Sequence, residues 1–402
     1  MAERDTASQI EVPRLPLSER DRRYGKLRAA MRAAGVDVLI LPANHSRWDQ
    51  MMADSRYLTT IGGYGTETLT IFPATGEVTA GVFNRANWWK RAQDWVSDVR
   101  DCGNRWGLLV IERLRELGVA QDACIAISGL GWLARAPDGI VPYATVVKIK
   151  EAFPRAKIID GSDLMLHLRA VKSDVEIDIL RRSLTIIEAM LDVATSRARP
   201  GLREKEIYAA MIGAMLSAGG ELPSMLIFGS GRNIGGGQFV PTDRSLQSGD
   251  IITGEIQANY CGYSGQIVHP ISLGAQPAEY GDLLKVSTDC MLGIADTMRT
   301  GKTMGDLMDV SERALAAAAR PGYALSHPIL HARGLGDEFP YQTKDVDVAK
   351  FRAIELVEGM AFVVKPRVTA PTKLTAQIGE TFVVRPGGGE RLGKRPLALR
   401  VV

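Results

Sequence analysis

Gly249-Asp-Ile-Ile-Thr-Gly-Glu-Ile-Gln-Ala-Asn-Tyr-Cys-Gly-Tyr-Ser-Gly-Gln266 is the stretch on which the fold turns. Ile251 to Ala258 reads as a strand, and Gln266 to Leu273 reads as a second. Glu255 and Gln266 place a carboxylate and an amide inside these apolar runs, where structure alone does not call for them. Three further islands follow: Ser326-His-Pro-Ile-Leu-His-Ala-Arg-Gly-Leu-Gly-Asp-Glu338, Leu356-Val-Glu-Gly-Met-Ala-Phe-Val-Val-Lys-Pro366 and Ala376-Gln-Ile-Gly-Glu-Thr-Phe-Val-Val384. Met360 to Lys365 and Thr375 to Val384 read as strands.

Outward from these islands the chain alternates helix and strand. Ser173-Asp-Val-Glu176 is a capping box, in which the serine hydroxyl accepts an amide proton and the glutamate reaches back. It opens a helix from Asp174 to about Ala198. Arg203–Ala218, Asp282–Met298 and Met304–Ala319 are further helices. This part reads as α+β. Upstream, Arg20–Ala34 is a helix stopped by Gly35, and Val36–Pro42 is a buried strand. Thr68–Phe72 and Glu77–Phe83 form a hairpin around Pro73-Ala-Thr-Gly76. Trp88–Val99 and Trp106–Leu117 read as helices, and Ala123–Ser128 as a strand. All six tryptophans precede residue 133. The expected division is an α/β domain over 1–168 and an α+β domain over 169–402.

Composition excludes several classes. Of 402 residues 46% are hydrophobic and 24% charged, which fits a globular chain and not a disordered one. Four cysteines without a CxxC pair read as buried thiols in a reducing compartment. A net charge of +3 gives no footprint for nucleic acid. No apolar run is long enough to span a membrane and no export signal is visible, so the expected location is cytoplasmic. The run Gly229-Ser-Gly-Arg-Asn-Ile-Gly-Gly-Gly237 lacks the GK[ST] ending of a phosphate loop and reads as a loop at the pocket rim.

The four islands resemble the creatinase / aminopeptidase P / prolidase family. Tyr57-Leu-Thr-Thr-Ile-Gly62 and the linker Leu168-Arg-Ala-Val-Lys-Ser-Asp-Val-Glu176 extend the likeness to roughly residues 20–390. The resemblance implies a creatinase-like N-terminal domain, a pita-bread catalytic domain and a homodimer. It also implies a site. The family's metallopeptidases hold two divalent ions with two Asp, one His and two Glu. Those positions fall here on Glu255, Gln266, His331, Lys365 and Glu380. A further family histidine falls near Gln238 and is absent, and another falls on Glu338.

These departures change the electrostatics. Four carboxylates would balance two divalent ions, whereas Glu255, Glu380 and Lys365 leave a single negative charge. The sequence-based expectation is therefore a metal-independent enzyme of the creatinase-like branch with no cofactor, acting on a small molecule by acid–base chemistry. Its simplest reaction is hydrolysis of an amide-like C–N bond, with a lyase as the alternative. His331, Lys365, Glu255 and Glu380 are the candidate catalytic groups. Gln266, His327, Arg333 and Glu338 are the candidate substrate contacts. His269, in the place of a family arginine, reads as structural or at the pocket edge. An Xaa-Pro peptidase with unusual metal ligation and a non-catalytic binding module stay open as further readings.

Overall fold

The structure is a computed structural model that describes residues 12–44, 52–63, 65–133, 135–234, 240–317, 321–326, 330–342 and 346–402. The chain forms two compact units, Met1–Arg169 and Ala170–Val402.

The first unit is a six-stranded mixed sheet with helices packed on it. Its elements run α1 (Leu17–Ala34), β1 (Val38–Leu41), α2 (Ala53–Thr59), β2 (Thr68–Pro73), β3 (Thr79–Val82), α3 (Ala86–Ala92), β4 (Asp98–Asp101), α4 (Trp106–Glu116), β5 (Cys124–Ile127), α5 (Tyr143–Ala152), β6 (Lys157–Asp160) and α6 (Ser162–Ala170). The strand order is β4-β3-β2-β1-β5-β6. The expected hairpin is present as the antiparallel pair β2–β3. Gly35 ends α1 in the left-handed region at φ 65°, a conformation that favours glycine. The helix expected over Trp88–Val99 stops at Ala92 instead. The Gln93 side chain donates to Val96 O and accepts from the amides of Trp95 and Val96, closing a turn where the helix would continue.

The second unit begins with α7 (Asp174–Arg197), which carries the expected capping box. It continues through α8 (Glu204–Ser217), β7 (Gly229–Gly231), β8 (Ile251–Thr253), β9 (Ile256–Tyr260), β10 (Tyr263–Ile267), β11 (Ile271–Ser272), α9 (Ala278–Thr297) and α10 (Met304–Ala317). Next come β12 (Ala324–Ser326), β13 (Leu330–Arg333), β14 (Asp337–Glu338), α11 (Val348–Arg352), β15 (Ala361–Val364), β16 (Arg367–Thr369), β17 (Thr375–Gln377), β18 (Glu380–Arg385), β19 (Gly388–Arg391) and β20 (Arg400–Val401). An antiparallel sheet of order β14-β13-β15-β18-β19 is the backbone of the site. Leu330, Phe362, Val364 and Phe382 carry its apolar face into a core with Leu283, Met291 and Ile294 of α9.

Three runs read as single strands are each broken, and the breaks shape the site. Ile251–Ala258 divides at Gly254, where an added Cβ would stand 2.0 Å from Ile227 O, so only glycine fits the close approach. Gln266–Leu273 divides before Pro270, which has no amide to extend a ladder. Thr375–Val384 divides at Gly379, where a Cβ would meet Lys365 Cβ at 2.6 Å. Val268 and Gly379 bridge at this level. Among the described residues no helix is long and apolar enough to cross a membrane.

Candidate active site

The breaks deliver the polar groups. Glu255 lies in the gap between β8 and β9, His269 between β10 and β11, and Glu380 opens β18. Lys365 follows β15, and Pro366 stops the ladder beyond it. His331 sits in β13, opposite Val363. All five are buried.

Glu255 Oε2 accepts from Lys365 Nζ at 2.6 Å and from Gln266 Nε2 at 2.8 Å. Burial alone would raise the Glu255 carboxyl; the Lys365 ammonium, helped by its hydrogen bond, overcomes this and holds it below the ordinary range. Burial pushes Lys365 down, against the opposing pull of Glu255. The pair is an ion pair whose charges cancel within the site. His331 Nδ1 lies 3.2 Å from Ala332 O and 3.6 Å from Asp337 Oδ1. Burial lowers the imidazole to about 3, with Lys365 and Arg333 adding to burial against the attraction of Asp337. Burial thus disfavours the charged form of His331.

Glu380 is fully buried, and neither carboxylate oxygen has a hydrogen-bond partner. His269 Nε2 lies 2.9 Å from Glu380 Oε1, yet out of line for a ring N–H to donate, and both ring nitrogens are unpartnered. The expectation that His269 is only structural or peripheral missed this contact.

Two expected substrate contacts are engaged within the protein. Glu338 accepts from Lys172 Nζ at 2.5 Å and from the Leu335 amide at 2.9 Å. Arg333 donates to Asp337, to Gln257 and to Ser264 O. Both side chains are buried rather than solvated. His327 and Gln238 lie outside the described residues. Sequence reasoning overlooked Asp337, Gln257 and Lys172. Gln257 was findable, because it stands opposite Gln266 in the β9–β10 register, as a hairpin around Cys261-Gly262 requires.

Two family descriptions match the chain: Creatinase/Prolidase N-terminal domain over residues 23–171, and Metallopeptidase family M24 over residues 178–386, just over half of the chain. The Xaa-Pro dipeptidase of Pyrococcus horikoshii is 23% identical over 286 residues, covering 71% of this chain and 78% of the relative. Probable dipeptidase PepE of Mycobacterium tuberculosis is 25% identical over 279 residues, covering 69% and 72%. The solved Xaa-Pro dipeptidase of Bacillus anthracis superposes with a TM-score of 0.77 at 22% identity, covering 95% of this chain and 100% of that one. The fold is thus the creatinase-like N-terminal domain joined to an M24 pita-bread domain.

The same findings correct the sequence-based function. A metal-independent, creatinase-like enzyme for a small molecule, with a lyase as alternative, is overturned by relatives named as dipeptidases within a family of metallopeptidases. On these matches, and on the placement of its site residues at the breaks of the pita-bread strands, the chain belongs to metallopeptidase family M24.

Proposed function

We propose that this protein hydrolyses the C–N bond of a dipeptide, on the pattern of the Xaa-Pro dipeptidases among its relatives. The observation that supports this reading is the buried Glu255–Lys365 pair with His331 nearby, inside the region that matches the M24 family. A homodimer, implied by the family likeness, belongs to the same proposal.

The family name implies metal ions, and the donor set here does not fit a two-ion centre. Glu255 is taken up by an ammonium at 2.6 Å and an amide N–H at 2.8 Å. Lys365 brings a positive charge where a cation would need a ligand. Among the described residues no group of three or more His, Cys, Asp or Glu side chains gathers to hold an ion. The chain's own residues nonetheless provide acid–base groups. Hydrolysis adds water across the C–N bond, oxygen to the acyl carbon and a proton to the leaving nitrogen. His331 is the ring placed beside the Glu255–Lys365 pair to carry a proton between the water and that nitrogen, once substrate binding offsets the burial that disfavours its charged form. The Lys365 ammonium, held by Glu255, faces negative charge developing on the acyl oxygen.

The test is proline release from Ala-Pro and Met-Pro by purified protein, with and without Mn(II) and with chelator. Release that falls at least about a hundredfold in His331→Ala supports the proposal. Folded wild-type protein that releases no proline under any of these conditions rejects it.

A further inference from the structure

A cleft of about 400 Å³ opens in the first unit, which holds none of the residues proposed above for catalysis. Its size falls within the range of about 300–1,000 Å³ usual for small-molecule sites. One wall is the face of α1 that carries Arg20, Tyr24 and Arg28, spaced four apart and so in line along the helix. The facing walls are the β2–β3 turn at residues 76–77 and the chain over residues 95–97.

Arg28 is fixed in this cleft. Its Cζ lies 5.8 Å from the Tyr24 ring centre and 5.3 Å from that of Phe72, and its Nη2 donates to Gly76 O at 2.5 Å. Among the described residues no carboxylate pairs with it, and its Nε is buried without a partner. Glu77 follows Gly76 and lines the same cleft. It accepts from the Ser97 hydroxyl, and among the described residues no cation pairs with it. The other two charges cancel each other, because Arg20 Nε and Nη2 donate to Asp21 Oδ1 at 2.9 and 2.7 Å. The cleft therefore presents one uncompensated cation and one uncompensated anion.

The chemistry of the ligand follows from that pair. A guanidinium held in place without a counter-charge is preorganised for a carboxylate, which it can grip through two parallel N–H bonds. Glu77 suits an ammonium. A ligand with only one of these charges leaves the other wall unmatched, whereas an α-amino acid zwitterion carries both close together. Val78 and Trp95 supply apolar surface for its side chain. We propose that this cleft binds a free α-amino acid with an apolar side chain, at a site separate from the catalytic one. The hydrolysis proposed above releases free amino acids, but binding in the cleft does not depend on it.

The experiment is titration calorimetry with three probes: L-leucine, isocaproate, which lacks the amino group, and isoamylamine, which lacks the carboxylate. Leucine should bind with a Kd at or below about 1 mM, and each analogue at least about tenfold more weakly, as expected for losing a charge-assisted hydrogen bond. Arg28→Gln and Glu77→Gln should each weaken leucine by a similar factor and leave Ala-Pro turnover unchanged. His331→Ala should bind leucine as the wild type does. No saturable leucine binding below about 10 mM overturns the proposal. Binding unaltered in both cleft variants, or lost in His331→Ala, overturns it too, because leucine then sits elsewhere. Isocaproate that binds as tightly as leucine also overturns it, since the ligand is then a simple anion. None of these results touches the dipeptidase reading, which is tested by proline release. Glu77 is exposed, so Glu77→Gln keeps the test open even if Arg28→Gln fails to fold.

Discussion

Replacing Lys365 by methionine is the most informative single change. The ammonium lies 2.6 Å from Glu255, and the two side chains are 7% and 10% exposed. Removing one member of such a pair strands a buried charge, which costs about 3–5 kcal/mol, whereas replacing both members is often nearly neutral. Lys365→Met leaves Glu255 with only the Gln266 amide, so a loss of about 3 kcal/mol is expected at neutral pH. Glu255→Gln strands the ammonium, but burial already pushes Lys365 down, so it sheds its proton more readily and the loss is smaller. The double variant should recover most of the stability, giving a coupling energy above about 2 kcal/mol. Urea unfolding followed by far-UV circular dichroism measures this; tryptophan fluorescence does not, because every tryptophan precedes residue 133. A loss below about 1 kcal/mol for Lys365→Met, or strictly additive effects, would refute the buried ion pair.

Three further outcomes follow from other contacts. Glu338→Gln weakens the buried bond to Lys172 and should lower the urea midpoint by the equivalent of about 2–3 kcal/mol without making KM the parameter most affected. Ser173→Ala removes the side-chain acceptor of the α7 capping box and should cost about 1 kcal/mol in the same assay; no loss would show the box to be idle. Burial would raise the Glu19 carboxyl, but Arg22 and Arg23 overcome this and hold it at about 2. The depressed value means that its stabilisation is present above pH about 4.5 and is lost as pH falls toward 2, amounting to about 3 kcal/mol at most. Tryptophan fluorescence should show Glu19→Gln erasing that acid dependence in the first unit, and an unchanged acid profile would contradict the assignment.

Much of the architecture was readable because it is encoded locally. Ser173 and Glu176 announce α7, and Gly35 ends α1. What escaped depends on contacts distant in sequence. Nothing near Gly254 reveals that Ile227 O lies against it, yet that approach divides the strand and places Glu255 between sheets. Glu338 meets Lys172 across 166 residues, so its charge looked free for substrate. The positions Glu255, Gln266, His331, Lys365 and Glu380 were placed by the resemblance of the islands to the family. The reaction was misread because lost carboxylates were taken to mark a metal-free branch. Side-chain identity at a position constrains how an ion is held, and does not by itself name the bond that is broken.

The most direct test of hydrolysis at this site is turnover of Ala-Pro in water enriched in heavy oxygen, with mass spectrometry of both products for the wild type and His331→Ala. The account predicts one heavy oxygen in the newly formed carboxylate of alanine, none in proline, and loss of this product in His331→Ala. Cleavage without solvent oxygen, or undiminished labelling in His331→Ala, would contradict it.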